Sequence, residues 1–480
     1  MSHLPVAVTA AVAWSAAGRW VWPGAEPRVW PRVWPRVEPR VEPDVRPDFR
    51  PDVGPADDSE RLAAWRWPER SPIQLSSELG VPVARLGREF SATGGLERPS
   101  VDRACNIAAG MADDLRPVLD RIVGRDPERF GCSVTVSKGG IGGWIDHARA
   151  PVGADGCWGI RAAEMDILAA DAAGGFVAER LNLRGPRIAP VAACATGVAT
   201  LAAGARMLAT DHLAGVVCGG AESSLHPAVV QSMLRMGILD RAPMRPFDRR
   251  RAGFNLGEGG ALLLLEAGLR PDRRANANSD PRPLAWLVSA AVLADAHHLT
   301  ELHPQRGTLT RLIRRLFKEA RANGSAGDPP CESLYVNAHA TGTVLNDRWE
   351  SAQLIDAFGP AGWARREGWI APSAPVVVSG TKSLTGHLLG AGGAVEAALC
   401  VAVLNGAPPP ATLHLSAPDG IWPEAVDPHE PLELLTDPLL ADQAPARRAE
   451  WPRFAAALSL NFGFGGHVGG LLFERAEDGR

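Results

Sequence analysis

The chain of 480 residues lacks a basic excess: 50 Lys and Arg stand against 54 Asp and Glu, a formal net charge of −4. Neutralising a phosphate backbone needs clustered positive charge, so the balance argues against nucleic acid as a partner. No uninterrupted apolar run reaches the roughly 18 residues that cross a bilayer. The seven cysteines, Cys105, Cys132, Cys157, Cys194, Cys218, Cys331 and Cys400, are odd in number, widely spread and never in a Cys-x-x-Cys pair. That removes the basis for a disulfide framework or a zinc site. A His-Glu-x-x-His helix is also missing, and Gly380-Thr381-Lys382-Ser383 lacks the Gly-Lys pair of a phosphate loop. Gly463-Phe464-Gly465-Gly466 leads into a strand pattern, not the helix that a dinucleotide fingerprint requires. What is present is ordinary for a folded protein, with 46% apolar and 22% charged residues and a length that suits two or three folding units.

Leu4 to Gly18 is apolar and ends in small residues, yet no Lys or Arg precedes it. The alternation of Val6, Val8 and Val12 fits a buried first strand over residues 1–19 better than a secretory signal, and the protein is expected to be cytoplasmic. From Pro23 to Pro55 a proline falls at every fourth position. Proline removes a backbone donor and biases its predecessor to extended angles, so residues 20–56 are expected to be a disordered, polyproline-like insertion. A docking strip anchored on Trp30 and Trp34 and an insertion without a partner both remain open.

Strands and helices then alternate. Expected helices cover Glu60 to Trp65, Asp102 to Leu115 and Met165 to Leu181; Arg129 to Val136 reads as a strand. Ile188 to Ala193, Ala195 to Leu208 and Ala214 to Cys218 form a βαβ unit. The polar stretch Arg270 to Pro283 separates an N-terminal half, residues 57–275, from a C-terminal half, residues 276–480. The second half begins again with a strand from Leu284 to Leu293, a helix from Thr308 to Ala322, and strands at Ser333 to Ala338, Val376 to Ser379 and Ala456 to Asn461. Gly257-Glu258-Gly259-Gly260 before Leu262 to Glu266 is echoed by Gly463-Phe464-Gly465-Gly466 before Leu471 to Glu474. The echo favours a duplicated α/β architecture.

In α/β sheets functional groups collect beyond the carboxyl ends of strands. Three such ends carry chemistry: Cys194, His339 and the Lys382 to His387 segment. Cys194 opens a helix of small residues, where free amides and the helix dipole favour a thiolate and suit an oxyanion. Cys105, Cys218 and Cys400 lie inside apolar elements and read as structural. Two imidazoles opposite one thiol suit a reaction that places negative charge on a thioester oxygen. Lys382 would balance a carboxylate such as Glu350.

These segments together resemble the elongating β-ketoacyl-acyl-carrier-protein synthases. The resemblance rests on Leu183-Arg184-Gly185-Pro186, Ala193-Cys194-Ala195-Thr196-Gly197, Gly219-Gly220-Ala221-Glu222-Ser223 and Arg245-Pro246-Phe247-Asp248 with Gly257-Glu258-Gly259. It continues in Asn337-Ala338-His339 with Asp347 and Glu350, Lys382-Ser383-Leu384-Thr385-Gly386-His387, and Phe462-Gly463-Phe464-Gly465-Gly466. It implies a thiolase fold: α/β, five layers αβαβα, two similar halves, usually in a homodimer. It further implies that Cys194 takes an acyl group from the phosphopantetheine arm of an acyl carrier protein. His339 and His387 would then support decarboxylation of a malonyl thioester and the Claisen condensation of fatty-acid or polyketide synthesis. By the same resemblance Cys194 and Phe462 supply oxyanion amides, Phe462 gates the acyl channel, and Thr341 and Thr343 hold the pantetheine. Lys382, Glu350 and Asp347 form a supporting charge network, and no metal or resident cofactor is needed. The alternatives are a non-decarboxylating acyltransferase and a non-catalytic partner resembling a chain-length factor. The chain departs from the family at Ala340, at Val344-Leu345-Asn346 and at Gly466-His467-Val468, where His467 has no assigned role.

Overall fold

The computed structural model describes residues 6–15, 18–22, 74–75, 81–85, 102–123, 126–149, 169–210, 212–267, 283–305, 307–324, 330–420, 422, 432–435 and 451–476. The proline tract, the helix expected at Glu60 to Trp65, Cys157 and the stretch 270–282 lie outside the described residues.

Two series of five strands organise the molecule. The first comprises β1 (Val6–Ser15), β2 (Phe130–Thr135), β3 (Arg187–Ile188), β4 (Gly215–Ser223) and β5 (Leu256–Ala267). The second comprises β6 (Ala285–Ala294), β7 (Leu334–Asn337), β8 (Val376–Ser379), β9 (Ala456–Gly463) and β10 (His467–Arg475). They run in the order β8-β7-β9-β10-β6-β1-β5-β4-β2-β3, and the halves join where Val6 to Val8 pair with Ala285 to Leu287. Read outward from that join, each half gives its first, fifth, fourth, second and third strand. The pairings also repeat: first with fifth and fifth with fourth are antiparallel, fourth with second and second with third parallel. The duplication that the glycine echo suggested is thus a duplication of topology, with β5 and β10 in equivalent places. Gly257 to Gly260 lie within β5, not in a loop before it.

Helices fill three layers. α1 (Arg103–Val123), α2 (Ile141–Arg149), α3 (Ala172–Leu181), α4 (Thr196–Thr210), α5 (Pro227–Arg235), α6 (Thr308–Ala322), α7 (Val344–Phe358) and α8 (Gly392–Leu404) follow in chain order. α1 and α3 pack on the outer face of the first sheet half, through Ile107, Met111, Leu115 and Val177. α6 and α7 cover the second half, α6 through Leu309, Leu312, Ile313, Leu316 and Phe317 at helical spacing. α4 and α8 form the middle layer, and every residue of α8 is buried, which is why its sequence is apolar all round. They touch at glycines: a Cβ on Gly197 would collide with the backbone of Gly393 and Ala394, and one on Gly393 would press on Val198. Among the described residues no helix is long and apolar enough to cross a membrane.

The strand expected from Ile188 to Ala193 is shorter than its sequence suggests. β3 is the outer strand, paired only through Arg187 and Ile188, and Pro190 has no N–H to extend the ladder.

Candidate active site

The chain reaches Cys194 through a single 3₁₀ turn, Ala193–Ala195, before α4 begins at Thr196. The Thr196 hydroxyl accepts the Ala192 amide at 2.8 Å, and Ala193 takes the left-handed φ of 49° that aims the next side chain out of the corner. The end of β9 runs alongside, so close that a Cβ on Gly463 would stand 2.6 Å from the Ala192 carbonyl oxygen and 3.0 Å from the Cys194 nitrogen. Cys194 is half-buried and packs against the apolar cluster that includes Phe254, Leu256 and Leu389. Burial pushes its thiol up to about 11, against the pull of the Lys138 and Lys382 ammonium groups and with the push of Glu222 and Glu396.

His339 follows β7 directly. Its backbone N–H and that of Ala340 donate to the two oxygens of Glu350 on α7, at 2.7 and 2.8 Å. Burial raises the Glu350 carboxyl to about 8. Asp347, one turn earlier, accepts from Gly342 N at 3.0 Å and from Phe247 N at 2.8 Å, tying the histidine loop to Arg245-Pro246-Phe247-Asp248 in the other half. Ala340 is left-handed at φ 44°, and a Cβ on Gly380 would run into its methyl group. The Thr341 and Thr343 hydroxyls lie 3.0 Å apart on the same loop.

His387 stands after the short helix Lys382–Thr385 and Gly386, whose φ of 73° turns the chain toward the first half. There His387 N donates to Asn255 O at 2.7 Å and Gly257 N donates to His387 O at 3.1 Å. A side chain on Gly257 or Gly386 would break that approach, since each glycine's Cβ would meet the other's backbone. Farther on, Gly390 N donates to Glu222 Oε2 at 3.3 Å. The His387 and His339 rings meet edge to face with centroids 5.6 Å apart; Phe254 flanks the first at 4.9 Å and Phe462 the second at 4.9 Å. Each ring has a buried Nδ1 without a hydrogen-bond partner. Burial holds both imidazoles well below their ordinary pKa, and the Lys382 charge pushes the same way, so both are neutral near pH 7. One ammonium acts on the thiol and on both rings, which puts all three in a single electrostatic environment.

The sequence matches the β-ketoacyl synthase N-terminal domain family over residues 126–269 and the C-terminal domain family over 284–416, together more than half of the chain. The chain belongs to the β-ketoacyl synthase family. The family is one of acyltransferase-class condensing enzymes. Two similar relatives are the 3-oxoacyl-[acyl-carrier-protein] synthase 2 of Coxiella burnetii, 29% identical over 64% of this chain and 66% of that one, and the mitochondrial 3-oxoacyl-[acyl-carrier-protein] synthase of Arabidopsis thaliana, 29% identical over 83% and 81%. Solved structures of the same fold include the ishigamide ketosynthase/chain length factor, at a TM-score of 0.69 and 20% identity over 99% of this chain and 100% of that one. A type II polyketide acyl carrier protein in complex with its ketosynthase also matches, at 0.67 and 17% over 98% and 99%.

Within this ketosynthase frame, two sequence expectations need correction. Lys382 does not pair with Glu350: its Nζ lies 2.6 Å from Glu396 Oε1 on α8, both side chains fully buried, while Glu350 holds backbone. The thiolate expected at Cys194 is outweighed by desolvation. Phe462, expected as the gate, has its ring buried between His339 and Trp349, 5.3 Å from the latter, whereas Phe464 is 41% exposed at the β9–β10 turn. Cys105, Cys218 and Cys400 are buried, as their apolar contexts suggested. The sequence reading missed Glu396, hidden in an apolar helix where one acid in 13 residues was the signal. It also missed Lys138, whose Nζ donates to Ser137 Oγ at 2.8 Å and lies 3.8 Å from Glu222. A lysine beside the glycine-rich turn after β2 was the trace it left.

Proposed function

We propose that this ketosynthase-family chain is a β-ketoacyl-[acyl-carrier-protein] synthase that performs a decarboxylative Claisen condensation. The observation that carries the reading is the pair of neutral, buried imidazoles in the same electrostatic pocket as a partly accessible cysteine. In the first half-reaction the Cys194 sulfur attacks the thioester of an acyl carrier protein. The carbon–sulfur bond to the pantetheine breaks, and the thiol proton leaves with that sulfur. In the second, the malonyl thioester loses carbon dioxide, and its carbon attacks the acyl-cysteine carbonyl. The carbon–sulfur bond to Cys194 then breaks and a proton returns to the thiol. Neutral His339 and His387 are hydrogen-bond donors to the thioester oxygen that carries the enolate charge, and excluding water strengthens both bonds. The amides of Cys194 and Phe462 are suited to the acyl-enzyme oxyanion, given how closely the end of β9 approaches Cys194. The Thr341 and Thr343 hydroxyls would hold the pantetheine. Glu350 and Asp347 position the histidine loop, and the Lys382–Glu396 pair sets its potential.

The carrier protein is the natural partner, in keeping with the relatives' names and with the ketosynthase solved with its carrier protein. The chain is further proposed to be a homodimer joined along β3, the outer strand, near which Ile188 and Val191 are exposed. Size exclusion of the protein expressed alone tests this, and Val191→Glu should give monomers.

Intact mass measurement after incubation with acyl carrier proteins tests the catalytic reading. Wild type should gain one acyl group; Cys194→Ala should gain none while remaining folded, and His339→Ala should acylate yet lose about a hundred- to thousandfold in condensation. Acylation of Cys194→Ala would refute the assignment. A wild-type enzyme that acylates without releasing carbon dioxide from malonyl carrier protein would be a non-decarboxylating acyltransferase.

A further inference from the structure

The segment from Arg241 to Arg251 holds five arginines, at 241, 245, 249, 250 and 251. Arg251 is buried and committed, donating to Asp419 Oδ2 at 2.8 Å and to the carbonyls of Asp248, Thr343 and Val344. Arg245 and Arg250 instead line a cavity of about 240 Å³ with Pro243, His414 and Ser416. Among the described residues its lining includes no carboxylate. Asp248 lies behind it, fully buried, and accepts from the backbone amides of Arg250, Ser416 and Ala417 and from Nε and Nη2 of Arg250. That fork neutralises one guanidinium and fixes its plane, leaving Nη1 outside it. Arg245 makes no ion pair among the described residues, and its Nε is buried without a hydrogen-bond partner. A buried cationic N–H without an acceptor is costly, and it leaves the Arg245 charge uncompensated by the described residues.

We infer that this cavity is a phosphate-binding site, formed by the Arg245 and Arg250 guanidinium groups with His414 and Ser416 at its wall. Two guanidinium groups and an imidazole present more donors than the two coplanar oxygens of a carboxylate can use, whereas a phosphate offers three or four oxygens in a tetrahedron. The volume lies below that of a pocket for a whole small molecule, so it suits a charged end group with a few attached atoms. The cavity borders the proposed pantetheine loop, since Arg245 N would lie 3.8 Å from a Cβ on Gly342, between Thr341 and Thr343. Two sources offer the same chemistry: the phosphodiester of a carrier-bound arm, which rests on the reading above, and a free phosphate ester, which does not.

The first measurement titrates the full chain with inorganic phosphate at constant ionic strength, against chloride, by calorimetry and thermal unfolding. Wild type should bind phosphate and unfold at a higher temperature as phosphate rises. Arg245→Gln and Arg250→Gln should each weaken binding about tenfold or more, the loss expected when one charge-assisted hydrogen bond is removed. Arg245→Lys keeps the charge without the fork, and its intermediate weakening with an unchanged unfolding temperature in chloride would separate a lost site from a damaged fold. Equal phosphate binding by wild type and Arg245→Gln, or no effect of phosphate beyond chloride, overturns the inference. Comparing apo and holo carrier protein then identifies the source. If the holo form's advantage falls about tenfold in Arg245→Gln, the arm supplies the phosphate; if it holds while inorganic phosphate binding is lost, a free ester does. The phosphate titration involves no acyl transfer, so its failure is distinct from failure of the condensation assay.

Discussion

The two halves of this molecule share one strand order yet present their chemistry in opposite ways. In the first half Cys194 follows an outer strand that is paired for two residues only, in a partly open corner whose neighbours Ile188 and Val191 are exposed. In the second, His339 and His387 stand on loops that are buried from Val376-side strand ends to α8, and their backbones are held by Glu350 and by Asn255 of the other half. The difference teaches how a duplicated fold divides labour. A thiol proposed to take its acyl group from a carrier protein needs access, whereas two rings that must stay neutral need exclusion of water. Each half also stores backbone strain at its corner, with Ala193, Ala340 and Leu389 all left-handed at φ 49°, 44° and 44°.

If the buried half depends on its charge pair, breaking the pair should do the most damage. Lys382→Met leaves Glu396 buried without its cation and should cost about 3–5 kcal/mol in denaturant unfolding, with condensation lost. An unfolding midpoint equal to wild type would mean that the pair contributes nothing to this half's rigidity.

The seam where the halves touch should come next. Gly197→Ala drives a methyl group into the α8 backbone, which has no flexible side chain to yield, and should cost about 1–3 kcal/mol by the same unfolding measurement. The open half is probed more gently by Lys138→Met. The folded thiol already titrates near 11 because thiolate is disfavoured by burial, and Lys138 is the foremost group opposing that. Removing its charge should move the midpoint of Cys194 alkylation by iodoacetamide to still higher pH, and Lys138→Arg should restore it. A midpoint that moves down would have the wrong sign for a cation that stabilises thiolate. The smallest effect is expected at Ala340→Gly. Relief of a left-handed alanine opposes the extra chain entropy of glycine, for a net gain of about 0.5–1 kcal/mol in thermal unfolding.

Much of this arrangement was legible in the residue order. The α6 pattern of Leu309, Leu312, Ile313 and Leu316 announces its buried face, and β8 coincides with its apolar run, because periodicity reports burial on one face directly. The motif around Cys194, His339 and His387 could be named from the chain alone. The partner of Lys382 could not, because Glu350 and Glu396 are both acids within reach in sequence terms, and only the crossing of α8 beneath the Lys382 helix selects one. Nor could the roles of Glu222, Asn255 and Asp347 as ties between halves, since each acts on backbone at least a hundred residues away.

Composition, spacing and apolar periodicity by themselves determined that this protein is a duplicated α/β chain with one thiol and two imidazoles at strand ends. These are properties of short stretches, in which local sterics and burial of one face speak for themselves. Tertiary structure alone decided that the three groups share one cation, that the rings are neutral and the thiol protonated, and that two arginines border an anion-sized cavity. Those are effects of desolvation and of charges brought together from distant segments, and such energies exist only once the chain has closed around them.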